Sequence, residues 1–356
     1  MHHLLAALMT AFACAALPAF AADPAAPTRL AVQPFVLLPP DVRHAEGLAS
    51  NPVNGDLYVG TFDAREPASV RNNQVLRYSA TGKLLARHPM GPTPLTGLEF
   101  LDGKLYVLNF GASKLQRLDA DFTASSPLED IATFGALTPP AVPARTVANP
   151  DGSVDHIAFG SAGFPAINGM VFDAQKNLYV SDSFQGAIYR IERATTCSPC
   201  PVSVISRDPL LATAAHLPFG ANGLAFGKAK DVLYVNNAGD GRLLTLNLAT
   251  GQVAVLAESL PGADGLMFHD GLLWVVANQA DVVLGVDENG LTRVRAGEFL
   301  GIAADGSPRG LLFPASTAVS GGYMVVTNLS LPLTPRAGDE WEERVTRWNL
   351  LRFKLP

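Results

Sequence analysis

Ala221-Asn222-Gly223-Leu224-Ala225-Phe226, followed shortly by Leu233-Tyr234-Val235, is the stretch that decides the fold. A polar residue, a glycine and an apolar residue precede a Leu-aromatic-Val run. The same unit recurs as Glu46-Gly47-Leu48 with Leu57-Tyr58-Val59, Thr96-Gly97-Leu98 with Leu105-Tyr106-Val107, Asn168-Gly169-Met170 with Leu178-Tyr179-Val180, and Asp264-Gly265-Leu266 with Leu273-Trp274-Val275. A degenerate sixth copy runs from Ser316 through Tyr323-Met324-Val325-Val326. Asn54-Gly55, Asp102-Gly103, Lys176-Asn177 and Asp270-Gly271 supply turns between the halves, so each unit reads as a β-hairpin. A further strand follows in several copies, as in Gln74-Val75-Leu76-Arg77-Tyr78, Ala187-Ile188-Tyr189-Arg190-Ile191 and Arg242-Leu243-Leu244-Thr245-Leu246.

Three or four short strands in a unit of roughly 50 residues match a propeller blade. A lone hairpin cannot cover both of its faces, so neighbouring units must stack. The chain is therefore expected to be all-β, a six-bladed β-propeller. Residues 29–38 and 348–355 are extended apolar stretches without a nearby hairpin partner. They are expected to close the ring as N- and C-terminal strands and so remove an open edge.

Composition narrows the function. The 32 Gly and 27 Pro are scattered, as many short strands and turns require. The 26 Lys and Arg form no run and are outnumbered by 32 Asp and Glu, which argues against nucleic acid and anionic membranes as partners. Residues 4–17 are apolar and uncharged, Pro18 ends the run, and Ala19-Phe20-Ala21 is a small-x-small site. Residues 1–21 thus read as a signal peptide cleaved after Ala21. Residues 22–356 would be a single exported propeller domain, periplasmic or extracellular, with no membrane span in the mature chain. Of its two cysteines, Cys197 and Cys200 sit in a turn-rich tetrapeptide. A zinc site would need two more ligands, so a local disulfide is expected in an oxidising compartment. Residues 120–165 lengthen the spacing between the second and third units and carry Asp155-His156; they read as a lid or as a solvated excursion.

The innermost strand of each blade lines a propeller's axis. The residue before each Gly-apolar pair should then lie near one mouth: Glu46, Thr96, Asn168, Asn222 and Asp264, with Ser316 or Thr317 as the sixth. A ring of oxygen donors suits a hard divalent cation, and two carboxylates balance its charge. Thiolates and imidazoles are absent from the ring. Asn and Asp before Gly are also ordinary turn residues, which leaves a ring without a ligand as the alternative. A second polar set, Asn109, Asp182, Asn237, Asn278 and Asn328, is expected to close hairpins or bond between blades. His44, His156, His216 and His269 do not cluster in sequence, and no G-x-S-x-G elbow is present.

These segments resemble the SMP-30/gluconolactonase/luciferin-regenerating family of six-bladed propellers, itself related to NHL repeats. The resemblance rests on Ala45-Glu46-Gly47-Leu48, Ala221-Asn222-Gly223-Leu224-Ala225-Phe226 and Ala263-Asp264-Gly265-Leu266, in that order. It implies one divalent cation held by Glu46, Asn222 and Asp264, with Ca²⁺ first and Mg²⁺, Mn²⁺ or Zn²⁺ as alternatives. It further implies a metal-dependent hydrolase acting on a small-molecule lactone or related ester. Asp264 would be the catalytic base, and Asn168, Thr96 and His156 would face the substrate. Two departures stand out: Leu48 replaces the family's usual Pro, and the family's sugar-acid-gripping Arg has no counterpart near Asn168. The alternative is a non-catalytic, NHL-like propeller that binds a ligand or protein partner in the periplasm.

Overall fold

The computed structural model describes residues 26–138, 145–148, 154–157, 164–213, 215, 217–334 and 338–356. The expected signal peptide, residues 1–21, lies outside them. The blades are six four-stranded antiparallel sheets, each ordered from the axis outwards. Blade one is Ala45–Ser50, Leu57–Thr61, Asn73–Tyr78 and Leu84–Gly91; blade two is Leu95–Leu101, Lys104–Asn109, Lys114–Asp119 and Glu129–Thr133. Blade three is Ile167–Phe172, Leu178–Asp182, Ala187–Ile191 and Ser203–Ser206; blade four is Ala221–Phe226, Val232–Asn237, Arg242–Asn247 and Val253–Ala257. Blade five is Ala263–His269, Leu272–Ala277, Val282–Asp287 and Thr292–Ala296. Blade six takes Pro314–Ser320, Tyr323–Asn328 and Asn349–Lys354 from the C-terminal part, and Gln33–Leu37 from the N-terminal part.

The second strand of each blade is sandwiched between neighbours, which explains its Leu-aromatic-Val sequence. Leu57, Tyr58 and Val59 are fully buried, as are Leu105, Val107, Leu273 and Val275. Apolar clusters bridge each pair of adjacent blades. Tyr179 and Ile188 of blade three, for example, pack with Leu224, Leu233 and Leu244 of blade four. Trp274 and Val283 of blade five pack with Met324, Val326 and Phe353 of blade six. Each fully buried Leu or Val contributes about 1.5–3 kcal/mol relative to exposure. No helix among the described residues is long and apolar enough to cross a membrane.

Closure comes from both ends, with a division of labour the sequence did not show. Residues 29–38 are not one strand. Thr28–Leu30 adds in parallel to the outer edge of blade five, and Gln33–Leu37 pairs antiparallel with Asn349–Lys354 in blade six. Residues 120–165 are also not all insertion, because Glu129–Thr133 is the outer strand of blade two. The remainder contains a separate two-stranded hairpin, Arg145–Ala148 with Val154–Ile157.

Candidate functional site

All six innermost strands carry the same irregularity. Two residues face one on the second strand: Glu46 and Gly47 lie between the pairs Ala45↔Thr61 and Leu48↔Val59. The same shift falls at Leu95/Leu98, Ile167/Met170, Ala221/Leu224, Ala263/Leu266 and Pro314/Thr317. A β-bulge bends the strand and re-aims the side chain at the extra residue. Here it sets Glu46, Thr96, Asn168, Asn222 and Asp264 at equivalent places beside the axis. In blade six that place belongs to Ala315. Ser316 and Thr317, the expected sixth members, fall one and two residues further along. The ring therefore has five polar members and a gap.

The glycine after each ring residue has a steric cause. A Cβ on Gly169 would lie 2.3 Å from the Asn222 carbonyl oxygen, and one on Gly265 would lie 2.4 Å from that of Ala315. Each ring strand presses its glycine against the ring carbonyl of the next blade, closer than any side chain allows.

Three of those carbonyls are also gripped from the side. Ser181 Oγ donates to Asn222 O at 2.6 Å, Asn236 Nδ2 to Asp264 O at 2.8 Å, and Thr327 Oγ1 to Glu46 O at 2.9 Å. Ser181, Asn236 and Thr327 occupy one structural position, opposite the bulge on the second strand of the preceding blade. The other three blades have Gly60, Leu108 and Val276 there, which offer no side-chain donor. The donors therefore fall on Glu46, Asn222 and Asp264, the three residues that the family resemblance marks as ligands.

The electrostatics of the ring are unbalanced. Glu46 Oε2 is buried without a hydrogen-bond partner. Burial first, and the Asp264 charge second, push the Glu46 carboxyl well above the usual carboxylate range. Burial pushes Asp264 up to about 7, against the lowering effect of hydrogen bonds from Asn278 and Asn222. Asn278 Nδ2 reaches Asp264 Oδ2 at 3.1 Å. Asn278 was expected to close a hairpin; instead it joins the ring. Its counterparts behave as expected: Asp182 accepts the backbone N–H groups of Ala166 and Gln185, and Asn237 donates to the carbonyls of Leu210 and Ala212. The buried polar atoms Asn278 Oδ1 and Thr317 Oγ1 have no partner either.

Two spaces meet at the ring. Glu46, Asn168, Asn222 and Asp264 line a tunnel of about 440 Å³ along the axis, and the same four residues floor a narrow cleft on the opposite side. Thr96 and Asn278 face only the cleft. Thr96 Oγ1 already donates to Ile167 O at 2.8 Å, and Asn168 Nδ2 donates to Ser183 Oγ at 3.2 Å. Glu99 lines the tunnel and was missed from sequence; burial pushes its carboxyl up to about 8. Its equivalents in the other blades, Ala49, Val171, Ala225, Met267 and Ala318, are all apolar. That contrast was the available signal.

His156 lies opposite Thr146 on the two-stranded hairpin, outside the six blades. His216 falls outside the described residues. His44 packs its ring on Trp348 at 4.7 Å, and its Nδ1 is 3.0 Å from Leu329 O. Burial lowers its pKa, which suits a neutral structural imidazole. His269 ends a strand and pairs with Asp270. Among the described residues no group of three or more His, Cys, Asp or Glu gathers. The ring has only two carboxylates, with amide and hydroxyl oxygens as its remaining donors. Those two carboxylates and the orphaned Glu46 Oε2 fit a hard divalent cation. Away from the axis, Cys197 and Cys200 form a disulfide, with Cα atoms 5.1 Å apart.

Neither a protein-family model nor a curated protein sequence matches the chain significantly. Solved structures do. A calcium-binding regucalcin from Agrobacterium tumefaciens superposes with a TM-score of 0.59 at 15% identity, covering 92% of this chain and 95% of that one. A gluconolactonase from Xanthomonas campestris gives 0.52 at 15% identity, covering 89% and 88%. A virginiamycin B lyase from Staphylococcus aureus gives 0.52 at 11% identity, covering 91% and 99%. At such identities the likeness speaks to architecture. The chain is a six-bladed β-propeller that shares its fold with the SMP-30/gluconolactonase propellers.

Proposed function

We propose that the ring holds one divalent cation, Ca²⁺ in the first instance, and that the protein is a metal-dependent hydrolase of a lactone or related ester. The observation that carries this reading is the buried, unpartnered Glu46 Oε2 beside a second buried carboxylate, Asp264. Two like charges held in a low-dielectric site repel, and a cation relieves that repulsion. Glu46, Asn222 and Asp264 would be the protein ligands, with Asn168 beside them. The cation, when bound, supplies polarisation of the acyl carbonyl and acidification of a water molecule.

The chain's own residues supply the rest. Asn278 and Asn222 hold the Asp264 carboxylate in one orientation. Asp264 takes the proton that the attacking water loses as its oxygen adds to the acyl carbon. The same proton passes to the alkoxide oxygen when the ring C–O bond breaks, so the products are a hydroxy acid and an intact site. Export to an oxidising compartment is part of the proposal, supported by the Cys197–Cys200 disulfide.

The second reading is a propeller that binds without turnover. It is favoured by the neutral amides and hydroxyl that make up most of the ring. A panel of lactones, assayed with and without chelator, separates the two. Chelator-sensitive hydrolysis supports the hydrolase, and no turnover of any lactone with metal bound favours the binding module.

A further inference from the structure

The cleft above the ring has a floor and walls of opposite character. Its floor is the ring with Asn278. Its walls are Phe62, Phe219, Phe313, Leu329, Leu331 and Leu333, with Leu217 and Ala238 completing them. Among the described residues no charged side chain lines it apart from Glu46 and Asp264 in the floor. Further aromatic rings back the wall. Phe62 meets Phe110 at 5.2 Å, Phe110 meets Phe164 at 5.6 Å, and Phe184 meets Phe219 at 5.1 Å. Phe164, a ring of this size left 38% exposed, sits at the outer end of this chain of contacts.

The wall is held in place by polar bonds that face away from the cleft. Trp348 Nε1 donates to Leu329 O at 3.1 Å, and Arg65 Nη1 donates to Pro332 O at 2.8 Å. The Glu340 carboxylate accepts the N–H groups of Leu333 and Thr334. Six apolar side chains thus converge on a polar ring, on a backbone whose own hydrogen bonds are satisfied elsewhere.

A polyhydroxylated substrate fits such a wall badly. Each sugar hydroxyl leaving water needs a new partner, and a wall of Phe and Leu offers none. A hydrocarbon chain loses nothing there and gains burial. The cleft is also slim, about 40 Å³ against about 440 Å³ for the tunnel. Water finds its hydrogen-bond partners on the tunnel side, at Ser50, Glu99 and Ser316.

We infer that the substrate is a lipophilic lactone or ester, with its acyl oxygen at the ring and an unbranched alkyl chain against the phenylalanine and leucine wall. This rests on the hydrolase reading for the chemistry but on the wall alone for the choice of body.

The test compares γ-butyrolactone, γ-hexalactone, γ-decalactone and glucono-δ-lactone as substrates of the Ca²⁺-loaded protein. Calorimetric binding of the matching alkyl lactams, which resist hydrolysis, is measured in parallel. Both kcat/KM and lactam affinity are expected to rise about fourfold per buried methylene. Phe219→Asn and Leu331→Asn should flatten that dependence without changing bound calcium, and Phe219→Leu should keep it. Bound calcium and melting temperature report that each variant is folded. A preference for glucono-δ-lactone, or lactam affinity independent of chain length, overturns the inference. If no lactone is hydrolysed but lactam affinity climbs with length, the lipophilic cleft stands and the hydrolase reading falls.

Discussion

Three blade junctions, three to four, four to five and six to one, carry a side-chain hydrogen bond onto the ring carbonyl of the next blade. The other three do not. Both kinds share the same bulge, and the same apolar packing holds them together. Ser181, Asn236 and Thr327 are therefore not needed to build a propeller, since Gly60, Leu108 and Val276 serve the other junctions. What distinguishes the bonded junctions is what they hold: Glu46, Asn222 and Asp264. The comparison separates residues that make the fold from residues that place oxygens within it. A metal site depends on such supporting bonds nearly as much as on its ligands.

The sharpest way to break the comparison is to alter one junction of each kind. Thr327→Val and Asn236→Leu should weaken calcium affinity by about 10- to 100-fold, the usual cost of losing a supporting bond behind a ligand. Leu108→Ala, at a silent junction, empties a fully buried site. It should cost about 2–5 kcal/mol of stability and leave affinity unchanged. Calcium titration and chemical denaturation of the three variants check this. Equal affinity losses at both kinds of junction would remove the distinction.

A second prediction sharpens the electrostatic half of the contrast. Glu46 and Asp264 have raised folded-state pKa values because the folded chain buries them. A carboxyl with a raised pKa binds more protons folded than unfolded, so stability falls as pH rises. The loss begins near the ordinary carboxylate pKa, about 4. For Asp264 it levels off above about 7. Calcium-free protein should thus melt at a lower temperature at pH 7.5 than at pH 5. Saturating calcium should shrink or reverse that difference, because ligand bound only to the folded state stabilises it by mass action. Thermal melts at the two pH values, with calcium and with chelator, report it. A calcium-free Tm that rises over this interval would count against a buried, uncompensated pair.

The smallest effect lies furthest from the ring. The Cys197–Cys200 disulfide closes a very short loop, and the chain-entropy model assigns it about 2 kcal/mol. Alkylation without reductant should leave both thiols unlabelled by intact mass. Reduction should lower stability modestly without touching calcium affinity. Two labelled thiols in the native protein would remove the bond and with it the support for an oxidising compartment.

The blades were legible in sequence because each must satisfy the same packing. The Leu-aromatic-Val strand is buried on both faces, and the glycine meets a neighbour's carbonyl, so both leave a periodic trace. Five ring positions followed from that trace. The sixth did not, since the bulge register is set by pairing across the hairpin. Ser316 fills the place of a glycine, and Ala315 fills the place of a ligand. Asn278 looked like its hairpin-closing counterparts because its chemistry matches theirs; only its contact with Asp264 sets it apart. Residues 29–38 hid their split because both halves are extended apolar edge strands. The wall of the cleft left no motif at all. Phe62, Phe219 and Leu331 come from loops of different blades, and loops carry no period.

The most direct test of the account is a calcium titration of chelator-stripped protein by isothermal calorimetry, run beside Glu46→Gln/Asp264→Asn. One site per chain is predicted for the native protein and none for the double variant. The variant should also melt higher than the native protein when calcium is absent, because its repulsion is gone. A native chain that takes up no calcium, or a double variant that binds it as well as the native chain does, would contradict the account.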